Sequence, residues 1–147
     1  MMRARLRRYL LLLNIRSGQA KSFLKQLGQI DCSDIDIVCG EFDTLEQRLL
    51  CQISQGIPEV VILVAGGDGT LGGLLKHVAG SPSQPKIGIA PIGTVNVFAS
   101  SIGLTDDALN TVRHRDALVS RKISILQIGS TICLTAACVD KNSPFLF

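Results

Sequence analysis

Short apolar runs alternate with longer amphipathic stretches along most of the chain. Tyr9–Leu13 is an unbroken apolar run of strand length, closed by Asn14-Ile15-Arg16-Ser17-Gly18. Ala20–Leu27 reads as a helix and Ile35–Cys39 as a second strand. Phe42–Ile53 sets Leu45, Leu49, Leu50 and Ile53 at helical spacing. Glu59–Ala65 is a continuous β-branched run of the type buried on both faces of a parallel sheet. Gly66-Gly67-Asp68-Gly69-Thr70 then turns the chain into a helix expected over about Leu71–Val78. A Ser- and Pro-rich loop, Gly80–Pro85, leads to a fourth strand at Lys86–Ala90. Pro91–Thr94 follows, then a helix expected at Val95–Ile102 and another from Asp106 to about Ala117. Thr105 is the natural N-cap for that last helix, with Asp106 and Asp107 favourable at its positive end.

The sum is βαβαβαβα, which implies a parallel sheet with right-handed crossovers and helices on both faces. After Ala117 the texture changes. Arg121–Ile128 and Thr131–Val139 are β-rich and joined by Gly129-Ser130, so a hairpin is expected there. A hairpin alone is marginal and has to pack on something.

In open α/β sheets, ligands bind beyond the carboxyl ends of the strands. Three small polar loops fall at such ends: Asn14–Gly18, Gly66–Thr70 and Gly93–Asn96. Glycines let a backbone approach a phosphate, and the free N–H groups of a helix start point at it. Three anion-ready loops on one sheet edge suggest a polyphosphate ligand. A plain Asp-Gly hairpin turn does not explain Gly66–Thr70. The run before it is apolar without alternation, and Leu71, Leu74, Leu75 and Val78 behind it have helical period. Asp68 is the only one of the twelve acids that falls in a Gly-rich loop.

Composition narrows the picture. With 147 residues, 46% hydrophobic and 18% charged, the chain has the content of one folded domain, and intrinsic disorder is excluded. Mean hydropathy is +0.34. The run Val60–Ala65 is nevertheless far below the about 20 residues of a membrane helix, so no span is expected. Aromatic residues make up 4% with no Trp, which argues against a base-stacking surface and for no nucleic-acid partner. The first thirty residues hold no acid, and Arg3, Arg5, Arg7, Arg8, Arg16, Lys21 and Lys25 lie there. A basic collar at an anionic lipid surface and an ordinary solvated tail both account for that opening. Of the five cysteines, Cys39, Cys133 and Cys138 sit in apolar surroundings and are expected to be buried. An odd number without CxxC fits reduced thiols and a cytoplasmic address. His77 and His114 are expected at helix surfaces. Arg113, Arg115, Arg121 and Lys122 read as a solvated helix end.

The strings VVILVAGGDGT and KIGIAPIGTVNVFASSIGL together resemble the catalytic domain of diacylglycerol kinases, sphingosine kinases and their bacterial lipid-kinase relatives. LLLLNIRSG is similar to that family's Asn-Pro-x-Ser-Gly nucleotide loop, and the likeness runs from about Tyr9 to Val139. GGDGT also occurs in NAD kinases and phosphofructokinases, and the block Pro91–Ala99 separates lipid kinases from them. The resemblance implies a three-layer α/β nucleotide-binding domain over residues 8–118, followed at 119–147 by the start of a truncated β-sandwich. It implies ATP, Mg²⁺ and transfer of the γ-phosphate to a lipid hydroxyl of diacylglycerol or sphingoid type, with peripheral membrane contact in keeping. Matched residue by residue, Asn14, Ile15, Arg16, Ser17, Gly18, Gly66, Gly67, Asp68, Gly69, Thr70 and Thr94 contact nucleotide phosphates, while Asn96 steadies the pocket. Asp68 acts at the metal–phosphate centre or as base toward the hydroxyl; the two roles stay open.

Several positions depart from the family's pattern. Ile15 replaces the usual Pro, and Gly72-Gly73 stand where many members have Asn-Glu. Cys39 or Gly40 falls where a nucleotide-contacting Thr is common, Val97 where many have Asp, and Ser124 where an Ile-Asp-Leu segment opens the second domain. Only Arg121–Val139 resembles the sandwich that closes the family's cleft, so a catalytically incomplete nucleotide-binding remnant is the alternative. An NAD kinase-like enzyme ranks below it. An unfinished sheet also gives a reason for self-association into a homo-oligomer.

Overall fold

The computed structural model describes residues 8–57, 59–104, 107–133, 136–140 and 143–146. Four parallel strands form the central sheet: β1 (Arg8–Asn14), β2 (Ile35–Gly40), β3 (Val60–Gly66) and β4 (Ile87–Pro91). Their order is β2-β1-β3-β4, so the first strand reverses the direction in which the sheet grows. That order follows from burial. β1 and β3 are the two most continuous apolar runs, and each lies between two other strands, with Leu10–Leu13 and Ile62–Ala65 nearly inaccessible.

The two faces carry separate cores. On one, Tyr9, Leu11, Leu13, Leu63, Ala65 and Ile92 meet Phe23 and Leu27 of α1 (Ala20–Leu27) together with Leu109 and Val112 of α5 (Ala108–Arg113). On the other, Leu10, Leu12, Ile62 and Val64 meet Leu45 and Leu49 of α2 (Phe42–Ser54). Leu71, Leu74 and Val78 of α3 (Asp68–Ala79) and Phe98 of α4 (Val97–Ser101) complete that side. The strand period of two therefore sorts β1 and β3 cleanly between two helical layers. The result is the three-layer α/β arrangement expected from the alternating elements.

The differences from expectation have local causes. α3 begins at Asp68, three residues before Leu71, with Gly67 at its N-cap, so the Gly-rich string forms the first turn of the helix. α5 starts at Ala108, where Asp107 is the N-cap and its carboxylate accepts the Asn110 N–H at 2.8 Å. Thr105 and Asp106 lie outside the described residues. The helix stops at His114 and continues only as a 3₁₀ turn, Arg115–Ala117. The single hairpin expected over Arg121–Val139 is instead two short ones. β5 (Leu126–Ile128) pairs with β6 (Thr131–Cys133) across Gly129-Ser130, with Gly129 at φ +60°. β7 (Ala136–Asp140) pairs with β8 (Ser143–Leu146). Residues 121–125 join no strand.

The cysteine expectation also changes. Cys39 is exposed and Cys133 half-buried, while the side chain of Cys138 lies outside the described set. β2 is an edge strand, so Ile37 and Cys39 on its outer stretch are left open to solvent. Residual shielding still pushes the Cys39 thiol above its ordinary pKa.

Candidate functional site

The three loops meet at the carboxyl ends of β1, β3 and β4. Loop one, Asn14–Gly18, is organised by Asn14 itself. Its Oδ1 accepts the Arg16 N–H at 2.9 Å, an Asx turn, and its Nδ2 donates to Thr70 Oγ1 at 2.8 Å in the first turn of α3. One short amide side chain thus holds the first loop against the second. Ile15 N–H donates to the Gly40 carbonyl at 3.0 Å, which ties the same loop to the end of β2.

Loops one and three touch at Gly18, where an added Cβ would lie 2.9 Å from Thr94 Oγ1. Loops two and three touch at Gly67 and Gly93, whose backbones leave no room for a side chain on Gly93. Gln19 adds two more ties: its N–H donates to the Ile92 carbonyl at 2.9 Å and its Nε2 to the Gly93 carbonyl at 3.3 Å. Asn96 brackets Gly93, accepting its N–H on Oδ1 and donating Nδ2 to its carbonyl, both at 3.1 Å. Those bonds hold loop three in shape.

Asp68 stands at the centre of this edge, half-buried at the start of α3. Its Oδ2 accepts the Val97 N–H at 3.0 Å and its Oδ1 the Phe98 N–H at 3.2 Å. The carboxylate therefore caps α4 from a distance of some thirty residues. This satisfies two amides that its own Asn96 N-cap leaves without a side-chain partner. Arg16 points elsewhere: Nε and Nη2 bond Glu41 Oε1 at 2.8 and 2.7 Å. Ile15, Ser17, Gly66 and Gly69 supply backbone to the edge and make no side-chain hydrogen bond among the described residues.

Chemically, the edge offers backbone. α3 begins with three residues, Asp68, Gly69 and Thr70, whose N–H groups have no helical partner within the helix, and it has no side-chain cap over them. Free N–H groups at a helix start, with the helix dipole behind them, can accept an anion. A divalent cation is served less well. Among the described residues no three His, Cys, Asp or Glu side chains gather as a ligand set, and Asp68 is already bonded to two amides.

Five contributors escaped the sequence. Gln19 and Glu41 lie just outside the motifs, and the Val97 and Phe98 amides give no residue-type signal. Phe42 lies with its ring against Gly73, 2.6 Å from where a Cβ there would be. That contact gives Gly73 of the Gly72-Gly73 pair a packing role. The two histidines divide: His114 is exposed, while His77 bonds Glu46 between α3 and α2 at 2.6 Å. No helix among the described residues is long and apolar enough to cross a membrane.

Comparison with known proteins bears on the domain as a whole. The family model described as "Diacylglycerol kinase catalytic domain" matches residues 8–128. A diacylglycerol kinase of Staphylococcus haemolyticus is 38% identical over 69 residues, 47% of this chain and 20% of that protein. One of Staphylococcus carnosus is 46% identical over 52 residues, 35% of this chain and 17% of the relative. A crystal structure of a putative diacylglycerol kinase from Bacillus anthracis str. Sterne superposes with a TM-score of 0.70 at 19% identity, over 88% of this chain and 49% of that one. The matched stretch spans about a fifth of the length of these curated relatives and about half of the solved chain.

Proposed function

Because the chain belongs to the diacylglycerol kinase catalytic domain family, we propose that its three-loop edge binds ATP and directs the γ-phosphate to a lipid hydroxyl. The observation that supports this most is the mutual closure of the loops: Gly18 on Thr94, Gly67 on Gly93, and Asn14 bonded to Thr70. Such closure sets the free N–H groups of the α3 start beside loops one and three, and phosphoryl transfer depends chiefly on positioning and charge neutralisation. The α3 N-terminus takes phosphate oxygens, Thr94 Oγ1 is exposed beside Gly18 to donate to one, and Asn14 and Asn96 hold the loops still.

Among the described residues no set of His, Cys, Asp or Glu side chains gathers to hold Mg²⁺ by itself. Asp68 is the carboxylate in place to meet a cation carried by the phosphates, or a hydroxyl proton, once it leaves the α4 amides. The acceptor side is apolar. Val95 and Val97 are 68% and 48% exposed on the loop that bonds Asp68, which suits a hydroxyl attached to hydrocarbon, as in diacylglycerol or a sphingoid base. Approach from a membrane surface is in keeping with such an acceptor.

A second reading, nucleotide binding without transfer by these residues alone, is favoured by the Asp68 contacts, which occupy both carboxylate oxygens. Calorimetry with Mg·ATP, followed by phosphate incorporation into diacylglycerol or sphingosine presented in vesicles, separates the two. Binding with incorporation supports the kinase, and binding without it supports the second reading. A folded chain that binds no nucleotide overturns both.

A further inference from the structure

The end of β2 holds an acid that phosphate binding does not use. Glu41 is the first residue after β2, and its backbone is set on both sides: Gly40 before it accepts the Ile15 N–H at 3.0 Å, and α2 begins at Phe42 immediately after it. Both Arg16 bonds go to Oε1. Glu41 Oε2 has no hydrogen bond among the described residues, and the side chain is 58% exposed.

The strand order gives the edge a direction. In the sequence β2-β1-β3-β4, Asp68 and Thr94 follow β3 and β4. On the nucleotide reading the reacting phosphate belongs at that end, and the other phosphates would lead back over loop one, at the end of β1. One strand further, about 4.8 Å on, is the end of β2, where the sugar of a nucleotide laid along this edge would arrive. In doubly wound sheets, an acid at the end of the second strand is well placed to accept hydrogen bonds from ribose hydroxyls.

We propose that Glu41 reads the ribose, its carboxylate accepting the 2′- and 3′-hydroxyls, with Arg16 as the positioning residue. The proposal rests on the nucleotide reading above. An unpaired carboxylate beside a triphosphate would repel it, and Arg16 cancels that charge while leaving Oε2 open. The pair is solvent-exposed and adds little to stability, so its consequence lies in where it holds the acid.

The experiment is calorimetry of ATP, 2′-deoxy-ATP and 3′-deoxy-ATP, each with Mg²⁺, on the whole chain and on Glu41→Ala, with thermal unfolding of both. Wild type is expected to bind ATP about tenfold tighter than either deoxy analogue, the scale of a charged hydrogen bond. Glu41→Ala, which removes both acceptor oxygens and no side-chain cap, is expected to keep its Tm and to bind all three alike. Equal binding of the three by wild type, or an ATP preference that survives in Glu41→Ala, overturns the proposal while leaving nucleotide binding in place. A folded wild type that binds none of them overturns the nucleotide reading and this proposal together.

Discussion

Gly93 and Gly67 pack backbone against backbone: a Cβ on Gly93 would lie 2.6 Å from the Gly67 Cα and 2.9 Å from Asn96 Oδ1. Neither neighbour is a flexible side-chain end, since one is main chain at the N-cap of α3 and the other is held by two bonds to Gly93 itself. Gly93→Ala must therefore separate loops two and three. Overpacking of this kind costs about 1–3 kcal/mol, and the displaced loops no longer present their N–H groups together. The expected result is a lowered Tm and nucleotide affinity reduced by more than about tenfold. Calorimetry beside a thermal melt checks it, and an unchanged affinity would mean the loops act separately.

Asp68 carries two functions at once, and substitutions can divide them. Removing the carboxylate leaves the Val97 and Phe98 amides without their acceptor. Asp68→Ala is expected to cost about 1 kcal/mol, the usual worth of an N-cap. Asp68→Asn keeps one acceptor oxygen and costs less, so the fold persists. Under the proposed function both variants lose transfer, so activity falls equally while stability does not. Thermal melts and an incorporation assay on the pair test this, and transfer by Asp68→Asn would remove the charge from the mechanism.

Much of this edge was legible because its signals are local. A β-branched run, a glycine string and a helical period stand next to each other at Val60–Val78, and together they place strand, turn and helix. What the sequence left hidden depends on distance. The bond from Asp68 to residues 97 and 98 joins segments that only the strand order brings together. Glu41 sits in no motif and matters because β2 neighbours β1. Ile35–Cys39 looks like a buried strand, and nothing in its pattern says that it lies at an edge. Within α5, Asp107 competes with Thr105 for the same capping task, and local propensity does not rank two good caps.

At the opposite end of the sheet, Arg115 joins three segments. Its guanidinium bonds the Asp34 carboxylate, the Asp31 carbonyl at 3.2 Å and the Val112 carbonyl at 2.9 Å, and it lies 5.5 Å from the Tyr9 ring centroid. The side chain is only 10% exposed. Its bond to Asp34 holds the guanidinium pKa above the ordinary value. Arg115→Ala strands a half-buried carboxylate and two carbonyls, an expected loss of about 2–4 kcal/mol. Arg115→Lys recovers little, because an ammonium cannot span the fork. Denaturant unfolding of both variants measures this, and a full recovery by Lys would show that charge alone suffices. Nucleotide affinity is expected to stay unchanged, since the cluster lies at the far end of the strands.

Acid sensitivity should trace to Glu46. Its carboxylate accepts from His77 at 2.6 Å and lies 3.6 Å from Lys76 Nζ, linking α2 to α3. The His77 hydrogen bond lowers the Glu46 pKa against the opposing effect of burial, and the nearby Lys76 charge adds a smaller lowering. A carboxyl with a lowered folded-state pKa contributes stability above the ordinary value of about 4.3. That contribution is lost as pH falls through the folded pKa. His77→Ala returns Glu46 toward the ordinary value and removes the contribution. The expected outcome is a Tm deficit against wild type that is present at about pH 5 and shrinks toward zero as pH falls below about 4. Melts of both proteins across that range decide it. A deficit that stays constant down to pH 3 would assign the loss to helix packing and not to the carboxylate.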